Sequence, residues 1–149
     1  MFGYWWLDGK VAFSGVPPGR ELDGLAGIFD AVVSLVEKYE LPYPLGEWEK
    51  RGVEVFYSPI PDFLAPSLNQ LFEILRWIKT KTVEGKNVLV HCSGGCGRSG
   101  TVAVAWLMYS KGLSLGKALS TVRKLRPCAV ETRDQIEVLK KLEKAIKLY

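Results

Sequence analysis

The chain has a single histidine, His91, and its side-chain amides are limited to Asn69, Gln70, Asn87 and Gln135. One imidazole and a few scattered thiols make no ligand set for a metal, and nothing else in the chain asks for a cofactor. Methionine is also rare, and a joint shortage of Asn, Gln, Met and Cys is a pattern of heat-adapted proteins. The longest apolar run, residues 102–108, is far shorter than the roughly 20 residues that a membrane-spanning helix needs. Residues 1–11 carry Asp8 and Lys10 and lack the basic start, apolar stretch and small-residue cleavage site of a secretory signal. A soluble, cytoplasmic protein without a membrane partner is expected. The three cysteines, Cys92, Cys96 and Cys128, are an odd number. In an unexported chain that argues against a disulfide framework and for at least one thiol kept for its reactivity.

What is present describes one globular domain spanning residues 1–149. At 149 residues, 48% of them hydrophobic and 24% charged, the chain can enclose one sizeable core and is too apolar for disorder. A net charge of +4 suits an anionic substrate. The basic residues are dispersed, many of them among acids near the C-terminus, so no nucleic-acid partner is expected. No repeat, linker or low-complexity segment interrupts the chain, and a monomer is favoured.

Asp8-Gly9, flanked by Trp5-Trp6-Leu7 and Val11-Ala12-Phe13, predicts a hairpin turn whose two central residues both accept positive φ. A short helical stretch over residues 21–28 leads into the β-branched run at 31–36, which reads as a buried strand. Prolines 42 and 44 precede a short helix over 47–51, and 53–57 alternates like a strand. Residues 58–66 hold three prolines around a single acid, Asp62, and form a stiff loop. Leu68, Leu71, Phe72, Leu75 and Ile78 recur at helical spacing and predict an amphipathic helix over 67–82. Val88-Leu89-Val90 is a short strand. Three further helices are expected over 99–111, 114–125 and 132–148. Strands alternating with helices point to an α/β domain with a mostly parallel central sheet covered by helices on both faces.

The segment His91-Cys92-Ser93-Gly94-Gly95-Cys96-Gly97-Arg98-Ser99 carries the chemistry. A strand ends, three glycines fill a turn and a helix begins. Glycines let the backbone curl so that successive N–H groups point inward and make a nest for an oxyanion. The helix N-terminus adds its positive end at the same point. Inward amides, the helix end and Arg98 all favour a Cys92 thiolate over the thiol, and a planar guanidinium grips two phosphate oxygens at once. The competing reading, a glycine-rich turn around an inert cysteine, leaves the Cys–Arg spacing and the strand-to-helix context unexplained. A nucleotide P-loop is excluded, because it ends in Gly-Lys-Ser/Thr.

These nine residues match the H-C-x-x-G-x-x-R-S signature and resemble the protein tyrosine phosphatase superfamily, in particular the small atypical dual-specificity phosphatases. Ile60-Pro61-Asp62-Phe63 resembles their general-acid loop. Leu125-Arg126-Pro127 with Val130-Glu131-Thr132-Arg133-Asp134-Gln135 resembles the segment after their signature loop. The resemblance implies that Cys92 is the nucleophile, Arg98 the phosphate and transition-state residue, and Asp62 the proton donor. It makes the backbone of Ser93, Gly94, Gly95, Cys96 and Gly97 the substrate cradle. His91 orders the loop, and Ser99 assists loss of the thiolate, with helix N-capping as the alternative for Ser99. Asp62 also reads as a plain turn residue. Glu131 and Gln135 are candidate water-positioning residues, while Thr132 and Gln135 equally form a capping box. Cys96 reads either as a resolving thiol for oxidised Cys92 or as loop filler, and Cys128 as a small, semi-buried residue.

The function implied is hydrolysis of phosphotyrosine in a phosphorylated protein partner, extended to phosphoserine and phosphothreonine because so short a chain leaves little room for pocket-deepening loops. The same fold also serves RNA 5′-triphosphatases. Phosphoinositide phosphatases usually carry lysines in this loop, and residues 93–97 supply none. A non-catalytic phosphopeptide reader is a further class, although such proteins tend to lose the cysteine, arginine or acid retained here. Sulfur-transfer proteins that share C-x5-R lack a Pro-Asp acid placed upstream in this way.

Overall fold

The computed structural model describes residues 2–147. A five-stranded sheet carries β1 (Tyr4–Trp6), β2 (Val11–Ser14), β3 (Ala31–Ser34), β4 (Glu54–Tyr57) and β5 (Val88–His91) in the order β1-β2-β5-β3-β4. All neighbours run parallel except the edge strand β1, which is antiparallel to β2. The α/β class with a mostly parallel sheet is as expected.

Alternation along the strands divides the interior. Val11 and Phe13, Ala31 and Val33, and Val88 and Val90 enter one core, while Ala12, Val32 and Leu89 enter the other. The first face is covered by α3 (Leu68–Val83) and α4 (Gly97–Lys111), with α5 (Leu115–Leu125) and α6 (Arg133–Lys147) packed on α4. The second is covered by the short helices α1 (Leu22–Ala26) and α2 (Gly46–Glu49), which bring in Leu22, Leu25 and Trp48. Of the stripe its spacing predicts, Leu68 and Phe72 are half-buried, while helix α3 buries Leu71, Leu75 and Ile78, and Ile74 with them. Burying each of these side chains contributes about 2 kcal/mol. Helix α4 is buried on all sides from Gly97 to Met108, as its nearly continuous apolar sequence requires. It is the central post of the domain, and its N-terminus stands at the carboxyl edge of the sheet.

Two local expectations are corrected, and a third goes untested. The β1–β2 hairpin forms, but neither Asp8 nor Gly9 has positive φ. The Asp8 carboxylate makes the turn instead, with Oδ1 accepting from the N–H groups of Lys10 and Val11, both at 2.8 Å. Its Oδ2 accepts from Trp106 Nε1 at 2.9 Å. Helix α4 starts at Gly97, two residues before the expected start, so Ser99 lies inside the first turn and is not the N-cap. Leu148, where the last helix is expected to end, lies outside the described residues.

Candidate active site

Strands β2, β3 and β5 finish level with one another, with Ser14 and Ser34 each paired to His91. The carboxyl edge of a parallel sheet is where open α/β folds place their sites. From this edge β5 runs into a loop, residues 92–96, and then into α4. Gly95 has φ +75°, and a Cβ there would lie 2.6 Å from the Gly15 nitrogen, so a side chain would strain the turn and push the two backbones apart. A Cβ at Gly97 would meet Glu131 Oε1 at 2.5 Å and the Gln135 carboxamide at 3.0 Å. The loop borders a cavity of about 240 Å³ lined by Cys92, Ser93, Gly94, Cys96, Gly97 and Arg98 together with Asp62, Phe63 and Glu131. A larger hollow of about 760 Å³ between Lys38, Leu41, Tyr43 and Tyr57 has neither a thiol nor a carboxylate in its lining.

Cys92 is buried at the base of the cavity, and its Sγ lies 3.1 Å from Ser99 Oγ. That contact unites the two residues that the sequence pairs seven apart, and it lets the hydroxyl donate to a thiolate. His91 is fully buried, and its Nδ1 lies 3.2 Å from the Cys92 carbonyl oxygen, which the N–H tautomer satisfies as donor. Burial pulls His91 down to about 4, so the ring is neutral and works as a structural donor.

Arg98 is 1% exposed. Its Nη1 donates to Glu40 Oε2 and to the Ile60 carbonyl, both at 2.9 Å, and its Nη2 donates to Glu40 Oε1 at 2.7 Å. Asp62 Oδ1 is 3.3 Å from Nη2. The two-pronged grip of Glu40 fixes the guanidinium plane, and the Arg98 hydrogen bonds hold the Glu40 carboxyl below the usual carboxylate range. The Nε atom of Arg98 is buried without a protein partner among the described residues, which leaves a donor for a bound oxyanion. Sequence reading missed Glu40. A buried guanidinium requires a carboxylate nearby, but nothing in the spacing selects an acid 58 residues away. Only the parallel register carries the turn after β3 to the same edge as the loop after β5.

Asp62 sits on a loop anchored at both ends. Ile60 N–H binds the Leu35 carbonyl, Gln70 Nε2 binds Ser58 Oγ and the Pro59 carbonyl, and Gln135 Nε2 binds the Leu64 carbonyl. The tip is open: the Asp62 side chain is 45% exposed, and Phe63, at φ +66°, is exposed beside it.

Gln135 is buried and hydrogen-bonded through both atoms of its carboxamide. Its Oε1 accepts from Glu131 and Thr132 N–H, and Thr132 Oγ1 accepts from Gln135 N–H. The capping box is therefore formed, while Nε2 donates one of its two N–H groups to the Leu64 carbonyl and keeps the other. Glu131 does line the cavity.

The cysteine expectations need correction. Cys96 and Cys128 form a disulfide, with Cα atoms 5.2 Å apart, and Cys92 is the free thiol among the described residues. Cys96 is therefore unavailable to resolve an oxidised Cys92 while the bridge stands, and Cys128 is exposed, not semi-buried. The two sulfurs, 32 residues apart, meet because α4 and α5 fold back on each other and return the chain to the loop.

Comparison with known proteins agrees with this geometry. Residues 28–145 match the family described as "Dual specificity phosphatase, catalytic domain". Cyclin-dependent kinase inhibitor 3 of Rattus norvegicus is 30% identical over 116 residues, 76% of this chain and 55% of that protein. Phosphatidylglycerophosphate phosphatase PTPMT2 of Arabidopsis thaliana is 30% identical over 127 residues, 83% of this chain and 56% of that protein. The chain thus spans little more than half the length of these two relatives. The crystal structure of Tk-PTP in its active form, from a Thermococcus archaeon, superposes with a TM-score of 0.94 at 67% identity, covering 95% of this chain and 96% of that one. On its signature loop, its fold and these matches, the chain belongs to the dual-specificity phosphatase family.

Proposed function

We propose that the protein hydrolyses phosphotyrosine, and also phosphoserine and phosphothreonine, in protein substrates through a phosphocysteine intermediate. The observation that carries this reading is the convergence of the buried Cys92 sulfur, a guanidinium fixed by Glu40 and the Asp62 carboxyl around one small cavity. The phosphoryl group sits on the loop amides and Arg98. The Cys92 sulfur forms a bond to phosphorus as the ester P–O bond breaks, and Asp62 gives its proton to the leaving oxygen. The resulting Asp62 carboxylate then takes a proton from water as that water attacks phosphorus. The S–P bond breaks, Ser99 donates to the departing thiolate, and inorganic phosphate is released. Glu131 lies at the cavity wall, within the space open to this water.

The Arabidopsis relative is named for a phospholipid head group, which makes a lipid monoester the main competing substrate. Among the described residues no helix is long and apolar enough to cross a membrane, and the loop residues 93–97 carry no lysine. Metal-free assays with phosphotyrosine and phosphothreonine peptides, phosphatidylglycerophosphate and 5′-triphosphorylated RNA, run side by side, test the assignment. The highest kcat/KM is expected on phosphotyrosine peptide. Cys92→Ser abolishes turnover on every substrate while retaining orthovanadate. Preference for the lipid or the RNA would overturn the substrate, and turnover by Cys92→Ser would overturn the mechanism.

A further inference from the structure

Four consecutive carbonyls of the phosphate loop are held by donors from outside it. Ser93 O accepts from Val16 N–H at 3.0 Å, and Cys96 O accepts from Gly100 N–H and Val130 N–H, both at 3.1 Å. The middle two have no backbone donor among the described residues. One side chain takes both: Arg126 places Nη2 3.1 Å from Gly94 O and Nε 3.4 Å from Gly95 O.

A trans peptide plane holds its C=O and N–H pointing in opposite directions, and no cis bond occurs among the described residues. A donor that grips the oxygen from outside therefore aims the next residue's N–H inward. Gly94 O belongs to the plane that carries Gly95 N–H, and Gly95 O to the plane that carries Cys96 N–H. These planes flank glycines, where the backbone has the widest choice of conformation. Arg126 is itself held, with its Cζ 4.7 Å from the centroid of the Trp5 ring, which packs on Phe13 at 5.4 Å. Stacking on the indole leaves the edge N–H groups of the guanidinium free to span two acceptors. Neither Arg126 nor Trp5 lines the cavity.

We propose that Arg126, seated on Trp5, is a positioning residue for phosphoryl binding: it fixes the two glycine peptide planes so that the amides of Gly95 and Cys96 face the bound oxyanion. The inference rests on reading this loop as a phosphate cradle. It gives the edge strand β1 and the Arg-Pro segment after α5 a task in substrate binding.

The test compares wild type with Arg126→Ala, Arg126→Lys, Trp5→Ala and Trp5→Phe. It reads orthovanadate affinity, kcat and KM on para-nitrophenyl phosphate, and folding by circular dichroism. Misaiming two amides in Arg126→Ala should weaken vanadate binding by about 10- to 100-fold and lower kcat to a similar degree, because such donors act most strongly on transition-state charge. Millimolar guanidinium should restore part of both, and Arg126→Lys should retain part, since an ammonium grips one carbonyl where the fork spans two. Trp5→Ala should show a smaller loss and Trp5→Phe almost none. A folded Arg126→Ala with wild-type vanadate affinity and kcat overturns the proposal. So does a lowered melting temperature with no change in either quantity. If Arg126→Ala does not fold, unchanged vanadate affinity in Trp5→Ala overturns it equally. Wild type that fails to bind vanadate would instead overturn the cradle reading itself, which keeps the two failures distinct.

Discussion

The phosphate loop and the Asp62 loop face the same cavity and are built in opposite ways. The first is stapled along its length: Gly15 packs against Gly95, four successive carbonyls have external donors, and a disulfide ties Cys96 to Cys128. The second is pinned at its ends and open at its tip, where Asp62 and Phe63 reach solvent. The contrast fits the work proposed for each loop. Amides and a guanidinium stabilise transition-state charge only if they are aimed in advance, since reorganising them during the reaction would cancel the gain. A proton donor must admit the substrate before it acts, so its loop needs an exposed edge.

Breaking the rigid side should have the larger effects. Arg98→Lys, which replaces the fork held by Glu40 with a point charge, should lower kcat by about 1,000-fold with the protein still folded. Steady-state kinetics checks this, and a loss confined to KM would mean that Arg98 serves binding alone. Removing the Cys96–Cys128 bridge by Cys128→Ser opens a 32-residue closure and should reduce unfolding free energy by up to about 4 kcal/mol. An unchanged denaturation midpoint would show that the loop is held without it.

His91, beneath the rigid loop, sets the acid limit. Its folded value is near 4 against an ordinary 6.5. Between those pH values the unfolded chain binds more protons than the folded one. Stability from the neutral ring is therefore complete above about pH 6.5 and declines as pH falls, by about 3 kcal/mol in all. Denaturation at pH 7 and pH 4, with His91→Gln as the reference, measures this share, and equal pH slopes in the two proteins would refute it.

The open loop should yield the smallest change. Asp62→Asn should slow turnover by about 100-fold on phosphotyrosine and much less on para-nitrophenyl phosphate, whose leaving group needs little help. An equal loss on both substrates would show that Asp62 supports Arg98 and does not supply the proton.

The helical stripe of α3 was readable because its periodicity is local, and so was the Cys92–Arg98 loop, whose spacing spans a single turn. Pairing Cys92 with Ser99 came from the resemblance of the signature segment, and the loop-to-helix geometry brings the two together. Glu40 escaped, as did the Cys96–Cys128 bridge, because each joins elements remote in sequence. Gln135 was readable only as an ambiguity: the T-x-x-Q pattern announces a cap, and only the packed loops show its Nε2 taken by Leu64.

The sequence by itself marked Cys92 and Arg98 as the pair to watch, the glycines that let the backbone approach an anion, and the alternation of strands and helices. Each of these is a property of a few neighbouring residues. Tertiary structure alone decided which carboxylate fixes Arg98, which cysteine Cys96 meets and which side chain grips the glycine carbonyls. Those partners are chosen by the parallel register and by the return of α5 toward the sheet edge, which are properties of the whole packed chain.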